Sequence, residues 1–517
     1  MLASLEEIKQ WWALNVNVQP IWRIEDLPEV RFKEILISLN LAYEIRRDVL
    51  ALGKPETTLS ILIHTYYWEI VSCVLKPYSP YAITGLSAIH YYLGDRSIPN
   101  KLEIFTKSSS ISINIEEISI LTIEKNSAFY ESPNFENNLK KIKTNKNYLL
   151  TIESPESILI RLRPQHFRDY PQIISSFLKA IEFEKETLIS LIFQKSKPIT
   201  YLRLANLFEQ VGKQAEAQLL RTSLKSMTSY NISGKTQIIK YSLPTILACP
   251  KQLSDPVYIT RFRDQIKFYK DQIISNLDKL KIPHWNLKEI QEYAEKTKKY
   301  DTYHSSTIEG YRVTQEEIQM LIDGREISSI GKNREETERK MALKGYLEAH
   351  KFVTKMIEKD FKNRNLLNES IIREIYAHLF LPSVESELID KTQLTQYRND
   401  AVFIRNSRYV PPAYQKIDNL MGCLVEEINE IENDNKTKAI IAHYGFVTIH
   451  PYFDGNGRVA RLLMNYILCC GGIPWITIRI EDREKYFHAL EIAQCDDNIK
   501  PFVELMEQYL KESLLLK

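Results

Sequence analysis

The stretch that decides the fold reads His450-Pro451-Tyr452-Phe453-Asp454-Gly455-Asn456-Gly457-Arg458-Val459-Ala460-Arg461. It lies between two segments with helical patterns, residues 436–448 and 456–470. Glycine permits a positive φ and close backbone approach, and the free N–H groups of a first helical turn attract anions. Two glycines directly before a helix therefore indicate a phosphate site.

The charged side chains of this stretch extend that interpretation. Arg458 and Arg461 are three residues apart on one helical face, so both guanidinium groups can reach one polyphosphate. The imidazole of His450 can take a proton from a hydroxyl, and the carboxylate of Asp454 suits Mg²⁺. Each residue alone also fits a structural role, as a helix-end histidine, a capping glycine or a solvated arginine. A simple anion site needs neither a base nor a metal ligand, so the combination favours catalysis.

The same stretch is similar to the Fic (filamentation induced by cAMP) signature H-x-F-x-[D/E]-G-N-G-R-x-x-R. Every specified position matches except one, where Tyr452 replaces phenylalanine at a packing position. The resemblance covers roughly residues 270–510. It implies a mainly α chain with an all-α Fic core and a β-hairpin flap.

The resemblance also implies an activity, the transfer of AMP from ATP to a Ser, Thr or Tyr hydroxyl of a protein. Positioning and charge neutralisation supply most of the catalysis in such chemistry. The implied roles are His450 as general base, Asp454 as Mg²⁺ ligand, Asn456 with the backbone of Gly455 and Gly457 at the α-phosphate, Arg458 at the β-phosphate and Arg461 at the γ-phosphate.

Two further segments resemble parts of the Fic core. Gln396-Tyr397-Arg398, followed by Val402-Phe403-Ile404 and Pro411-Pro412, is similar to the flap, whose hairpin edge aligns an extended target segment by strand addition. A purely structural hairpin is the alternative. Downstream, Tyr486 resembles a residue beside the nucleotide base, and a core tyrosine is the alternative there.

The segment Ser305-Ser306-Thr307-Ile308-Glu309-Gly310 resembles the inhibitory motif [S/T]-x-x-x-E-[G/N] of Fic proteins. In this interpretation Glu309 pairs with Arg461 and removes the γ-phosphate clamp, while Ser305 supports the helix and the carboxylate. Thr314-Gln315-Glu316-Glu317 follows as a capping box, which predicts a helix break at Gly310.

Length and composition bound the remaining possibilities. At 517 residues the chain is too long for one core, and we predict a division into residues 1–55, 56–245 and 246–517, with a junction within 226–256. The net charge of +2 does not by itself announce a nucleic-acid or membrane partner. Six cysteines without C-x-x-C spacing favour a cytoplasmic location and neither a disulfide framework nor a zinc site. No signal peptide and no uninterrupted membrane span is expected.

The first 55 residues predict a winged helix-turn-helix, with two helices and then a strand-like stretch whose tip is Arg46-Arg47-Asp48. Arg31 and Lys33 on the second helix, and Arg46 and Arg47 on the wing, would then face phosphate. However, seven basic residues are opposed by eight acidic ones, whereas a DNA-binding module usually has a basic surplus. A small helical packing domain is the alternative.

Residues 84–93 and 152–159 resemble signatures of AbiEi-like antitoxin and regulator proteins, which implies a mixed α/β domain after the winged helix. Between positions 140 and 168, seven basic residues stand against two acidic ones, a better electrostatic candidate for nucleic acid, with a solvated lysine-rich face as the alternative.

These patterns lead to one main hypothesis, an autoinhibited Fic-type adenylyltransferase that modifies a protein substrate and also itself. One alternative is a DNA-binding regulator whose Fic core senses ATP. The other is the reverse enzyme, in which Glu309 positions a water to remove AMP. A homo-oligomer is possible, and no membrane partner is expected.

Overall fold

A computed structural model describes residues 4–55, 57–132, 135–194, 198–227, 243, 255–325, 334–362 and 367–514. The described chain is mainly helical, as predicted. It divides into two compact units, one formed by residues 1–261 with 403–410 and the other by 262–402 with 411–517. The predicted three-part division stays a prediction, and most of the predicted junction lies outside the described residues.

The first unit begins with a small helical segment and a three-stranded sheet. The strand order β1-β3-β2 is antiparallel throughout. Ile8, Phe32, Leu36 and Leu50 are buried together and form its core. The elements are α1 (Leu5–Asn15), β1 (Ile21–Arg23), α2 (Arg31–Ser38), β2 (Ala42–Arg46) and β3 (Val49–Leu52).

A six-stranded mixed sheet forms the centre of the first unit, with strand order β6-β7-β5-β4-β9-β8. Its β4–β9 and β5–β7 pairs are parallel and the others are antiparallel. The strands are β4 (Tyr81–Ile83), β5 (Lys101–Thr106), β6 (Ile111–Ile115), β7 (Ser119–Lys125), β8 (Leu139–Lys143) and β9 (Leu149–Glu153).

Helices cover this sheet and follow it along the chain. Ser154 caps one of them and Pro155 takes its first position, because serine accepts the free N–H groups and proline lacks one. The helices are α3 (Leu59–Leu75), α4 (Gly85–Tyr92), α5 (Ser127–Tyr130), α6 (Pro155–Arg161), α7 (Pro164–Asp169), α8 (Pro171–Ala180), α9 (Lys185–Gln194), α10 (Pro198–Gln210) and α11 (Gln214–Met227).

The second unit is helical throughout its described residues. Its centre is the pair formed by α18 and α19, against which α15, α16 and α17 pack. The helices are α12 (Val257–Leu277), α13 (Leu287–Ile308), α14 (Gln315–Ile322), α15 (Arg334–Asp360), α16 (Glu369–Glu385), α17 (Ile417–Asn429), α18 (Asn435–Ile449), α19 (Asn456–Cys470), α20 (Arg483–Cys495) and α21 (Lys500–Leu514).

The flap differs from the predicted hairpin. Residues 401–410 run extended on either side of a turn at Arg405-Asn406, and they form no two-stranded ladder. The second half of the flap makes its backbone contacts elsewhere, since the carbonyl of Arg408 accepts from the N–H of Ile98. A ladder within the flap would need those same groups.

Across the described parts of the chain, every helix is too short or too polar to cross a bilayer.

Candidate functional site

The loop between α18 and α19 holds the predicted catalytic residues. His450 ends α18 in the left-handed conformation, with φ 53° and ψ 59°. The main chain around it is held by Arg398, whose Nε donates to the His450 carbonyl at 2.8 Å and whose N–H donates to the Pro451 carbonyl at 2.8 Å. Arg398 is only 3% exposed, so it fixes the flap base to the catalytic loop.

The imidazole of His450 is prepared to accept a proton. Burial, reinforced by the positive charge of Arg398, lowers the pKa of His450 to about 4. The ring is therefore neutral at physiological pH. A hydrogen bond from the ring to the backbone of Val447 opposes this lowering of the pKa only in part. The structure thus indicates a base that stays neutral well below pH 7.

Tyr452 and Asn456 shape the loop from inside. Tyr452 is buried and stacks on Tyr376, with ring centroids 3.5 Å apart and planes 2° apart, as its predicted packing position requires. The side chain of Asn456 accepts from the Tyr452 N–H at 3.0 Å and donates to the Tyr452 carbonyl at 2.8 Å. Both ends of this amide are thus engaged by the loop, which leaves the main-chain N–H of Asn456 for an anion.

The start of α19 joins the metal-ligand candidate to the first arginine. Gly455 is the N-cap, with a φ of 81°, and its N–H donates to Asp454 Oδ1 at 2.6 Å. Arg458 is buried and donates to Asp454 Oδ2 at 3.0 Å, while the Asp454 side chain is 61% exposed. Burial lowers the pKa of Arg458, but the combined effect of Asp454, Tyr311 and Glu309 is larger and raises it.

Glu309 lies at the other side of this helix end, and its partner is Arg461. Nη2 of Arg461 donates to Glu309 Oε1 at 2.7 Å and to the Ser305 carbonyl at 2.9 Å, and Nε donates to Ser305 Oγ at 3.1 Å. Arg461 is 2% exposed, and although burial opposes it, Glu309 raises the pKa of this guanidinium. The three residues predicted from two distant motifs therefore meet.

Gly457 lets the Glu309 carboxylate reach the backbone of α19. A Cβ at this position would overlap Glu309 Oε1 and would lie 3.1 Å from Arg461 Nη1. Only a residue without a side chain fits between them. The carboxylate thus occupies the helix N-terminus, where the sequence predicts a phosphate.

A buried polar chain supports the helix that carries Glu309, and no sequence motif pointed to it. Tyr346 Oη lies 2.7 Å from Asp301 Oδ2 and 2.9 Å from Ser305 Oγ, and Thr477 donates to Asp301 Oδ1 at 2.8 Å. Because each hydroxyl has one proton, Arg461 donates to Ser305, Ser305 to Tyr346 and Tyr346 to Asp301. The spacing of Asp301, Ser305 and Glu309, one helical turn each, was the available signal.

The helix break after the inhibitory motif is confirmed. Helix α13 ends at Ile308, and α14 begins at Gln315. Thr314 accepts from the Glu317 N–H at 3.2 Å, and Glu317 accepts from the Thr314 N–H at 2.9 Å, which is the predicted capping box.

The other predicted site residues lie in two places. Tyr486 is 1% exposed, its Oη lies 3.0 Å from His443 Nε2, and burial raises its pKa to about 12 despite the positive charge of Arg461. In the flap, Phe403 is 49% exposed, and Val402 and Ile404 are partly exposed. The role of Tyr486 beside a nucleotide base and the docking role of the flap stay predictions.

One carboxylate is available for Mg²⁺. Among the described residues, no three or more His, Cys, Asp or Glu side chains group together as a metal site. Mg²⁺ typically takes one or two protein carboxylates together with substrate phosphates. The exposed carboxylate of Asp454 beside the helix N-terminus fits that arrangement.

In the first 55 residues, two of the basic side chains predicted to face phosphate are engaged by acids. Lys33 Nζ lies 2.7 Å from Glu44 Oε2, and Arg46 Nε lies 3.0 Å from Asp48 Oδ1. Phosphate contact by these two side chains would have to replace the existing pairs. Further along, Lys140, Lys141 and Lys143 lie exposed on the edge strand β8, where lysines also discourage edge-to-edge pairing.

Comparison with known proteins finds the same core. Residues 366–468 match the Fic/DOC family. The chain is 30% identical over 219 residues to a protein adenylyltransferase Fic of Nematostella vectensis, covering 41% of this chain and 47% of that protein. It is 29% identical over 222 residues to the protein of that name in Drosophila melanogaster, covering 41% and 40%. The chain thus spans less than half the length of these curated relatives.

Solved Fic structures are also similar. Fic-1 (residues 134–508) of C. elegans has a TM-score of 0.37 and 19% identity, covering 66% of this chain and 95% of that one. A Fic domain-containing signaling protein of Bacteroides thetaiotaomicron has a TM-score of 0.36 and 24% identity, covering 49% and 95%. The matched family confirms the Fic resemblance, while the AbiEi-like resemblance of the first unit stays a prediction.

Proposed function

We propose that this chain, which carries a Fic/DOC domain, is an autoinhibited protein adenylyltransferase that transfers AMP from ATP to a hydroxyl side chain of a target protein. The observation that carries the proposal is the ion pair of Glu309 with Arg461 at the N-terminus of α19. A buried base, an exposed carboxylate and two buried arginines surround the same helix end.

The chemistry begins with a neutral imidazole. His450 takes the proton of the target hydroxyl as its oxygen forms a bond to the α-phosphorus of ATP. The bond from that phosphorus to the bridging oxygen breaks, and pyrophosphate leaves with the electron pair. The low pKa of His450 keeps the base unprotonated before the attack.

Charge on the phosphates is balanced by the start of α19. The N–H groups there, including that of Gly457, attract the phosphate oxygens, and Arg458 and Arg461 contribute two positive charges. Asp454 would hold Mg²⁺, which when bound neutralises the developing charge. Because Arg458 pairs with Asp454 in the present state, nucleotide binding would exchange that contact for phosphate and metal contacts.

Inhibition follows from competition for one guanidinium. While Arg461 is paired with Glu309, it cannot hold the γ-phosphate, and the carboxylate repels an anion at the same helix end. Holding the closed form at about 99% needs only about 2.7 kcal/mol. One buried ion pair with its supporting hydrogen bonds is of that order.

The test compares three proteins in the presence of Mg²⁺: the unaltered chain, Glu309→Gly, and Glu309→Gly with His450→Ala. Each is incubated with ATP labelled at the α-phosphate and, as a control for phosphorylation, at the γ-phosphate. We expect strong α-label transfer to lysate proteins or to the chain itself only in Glu309→Gly. Absence of α-label from the Glu309→Gly protein contradicts the proposal.

The reverse enzyme is favoured by one observation, since the Glu309 side chain stays 22% exposed beside Arg461 and could orient a water. Release of AMP from a pre-modified target, lost in Glu309→Gly, would identify that activity. Pre-modified target is obtained from the Glu309→Gly reaction itself.

A further inference from the structure

Most of the flap, residues 403–410, belongs to the N-terminal unit. Residues 403–410 group with residues 1–261, so the chain enters that unit at Phe403 and leaves it at Pro411. Within the unit, the flap contacts the loop Asp95–Ile98, which connects α4 to β5.

This loop and the flap exchange hydrogen bonds in both directions. The N–H of Ile98 donates to the Arg408 carbonyl at 2.9 Å, and Arg408 Nη1 donates to the Ile98 carbonyl at 3.3 Å. The N–H of Val410 donates to Ser97 Oγ at 3.4 Å. Arg408 is 8% exposed, so its charge is held in the interior by contacts of this kind.

The loop itself is held rigidly. The carboxylate of Asp95 accepts from the Ser97 N–H at 2.9 Å and from Arg261 Nη2 at 2.5 Å, and it lies 3.1 Å from His90 Nδ1. In addition, Trp68 Nε1 donates to the Arg96 carbonyl at 3.0 Å. Because these hydrogen bonds hold the Asp95–Ile98 loop in place, the loop can in turn hold the flap residues that bind to it.

The first half of the flap, residues 402–404, therefore differs from the second half, residues 408–410, in how exposed its side chains are. In the first half, Val402, Phe403 and Ile404 are partly or largely exposed, whereas Arg408 and Tyr409 in the second half are buried. The base of the flap is fixed separately, because Arg398 Nη2 donates to the Pro412 carbonyl at 2.5 Å. Only the first half offers an open surface to a partner.

We propose that the Asp95–Ile98 loop, through Arg408, positions the flap for target docking, so that an extended target segment pairs with residues 402–404 alone. The docking role of the flap rests on the proposed function, whereas the contact between the loop and the flap does not. In this proposal Arg408 is a positioning residue.

Hydrogen exchange in the full-length chain tests the contact without requiring transfer activity. Arg408→Ala removes a buried charged donor, and we expect exchange to rise at least tenfold in peptides covering 404–412 and also in those covering 94–99. Arg405→Ala, an exposed arginine of the same flap, is the matched control and should change neither. Ser97→Ala, a smaller change, should raise exchange at Val410.

If the hydrogen-exchange rate of residues 94–99 is unchanged in both Arg408→Ala and Ser97→Ala, the proposal is wrong. In that case the substitutions loosen only the flap, and the loop does not depend on the contact. In the Glu309→Gly background, Arg408→Ala should lower the labelling of lysate proteins at least tenfold and leave ATP affinity within twofold. An equal loss of ATP affinity also overturns it. If Glu309→Gly itself transfers nothing, the proposed function fails while the exchange result still decides whether the loop holds the flap.

Discussion

Glu309 and Arg461 lie 152 positions apart in the chain, yet their side chains are 2.7 Å apart in a largely buried ion pair. The pair closes over Gly457 at the first turn of α19. Its strength depends on charge, on burial and on the polar chain beneath it, and each of these can be altered separately.

Replacing Glu309 with glutamine tests the negative charge of this side chain separately from its shape. Glu309→Gln keeps the size of the side chain and removes the anion, so we expect ATP affinity to rise about tenfold to a hundredfold, as loss of a lock of this size requires. Titration calorimetry with a nonhydrolysable ATP analogue measures the change. Glu316→Gln, on the exposed face of α14, is the control. Equal affinities for the three proteins would refute the competition for Arg461.

The pH dependence of transfer reports on His450. Its pKa is lowered to about 4, so the imidazole is neutral above that value and protonated below it. Activity should therefore stay constant from pH 8 down to about 6 and fall only as pH approaches the lowered pKa. The measurement is the rate of α-label transfer by Glu309→Gly, with circular dichroism to verify folding. An acid limb centred at pH 6.5 or above would contradict this expectation.

Removing one hydroxyl should loosen the lock without touching the nucleotide site. Tyr346→Phe deprives buried Asp301 of one of its two donors and Ser305 of its acceptor, at a cost of about 1–3 kcal/mol. We expect basal transfer to rise several-fold and the thermal midpoint to fall. Tyr300→Phe on the same helix as Glu309, with a 42% exposed ring, is the matched control. If Tyr346→Phe is destabilised but remains fully inhibited, the polar chain is not part of the lock.

The role of Arg398, which donates to the main chain of the loop between α18 and α19, can be tested separately. Arg398→Ala removes the donor to the His450 carbonyl, and we expect the transfer rate of Glu309→Gly to fall at least about a hundredfold through loss of orientation, with little change in ATP affinity. Arg334→Ala, a 77% exposed arginine at the start of α15, is the control. A loss confined to ATP affinity would assign Arg398 to nucleotide binding instead.

Local patterns in the sequence predicted much of the helical core. The helix from Asn456 to Cys470 was predicted with its observed ends, because glycines precede it and follow it. The pairing of Glu309 with Arg461 was also predicted, but only through resemblance, since no local rule joins residues so far apart.

Tertiary contacts decided the remaining features. The flap lacks its expected ladder, and the carbonyl of Arg408 accepts instead from the N–H of Ile98. The low pKa of His450 depends on burial, which a local pattern does not specify.

The contacts of Gly457 limit which substitutions could raise the basal activity of this protein. The missing Cβ leaves room for the carboxylate of Glu309, and in the proposed mechanism it would also leave room for a phosphate that approaches the same amides. A substitution there would exclude inhibitor and substrate together, so it offers no route to a constitutively active enzyme. Gain of activity is instead expected from substitutions on α13, which carries Glu309, or at Tyr346 of α15, which supports that helix.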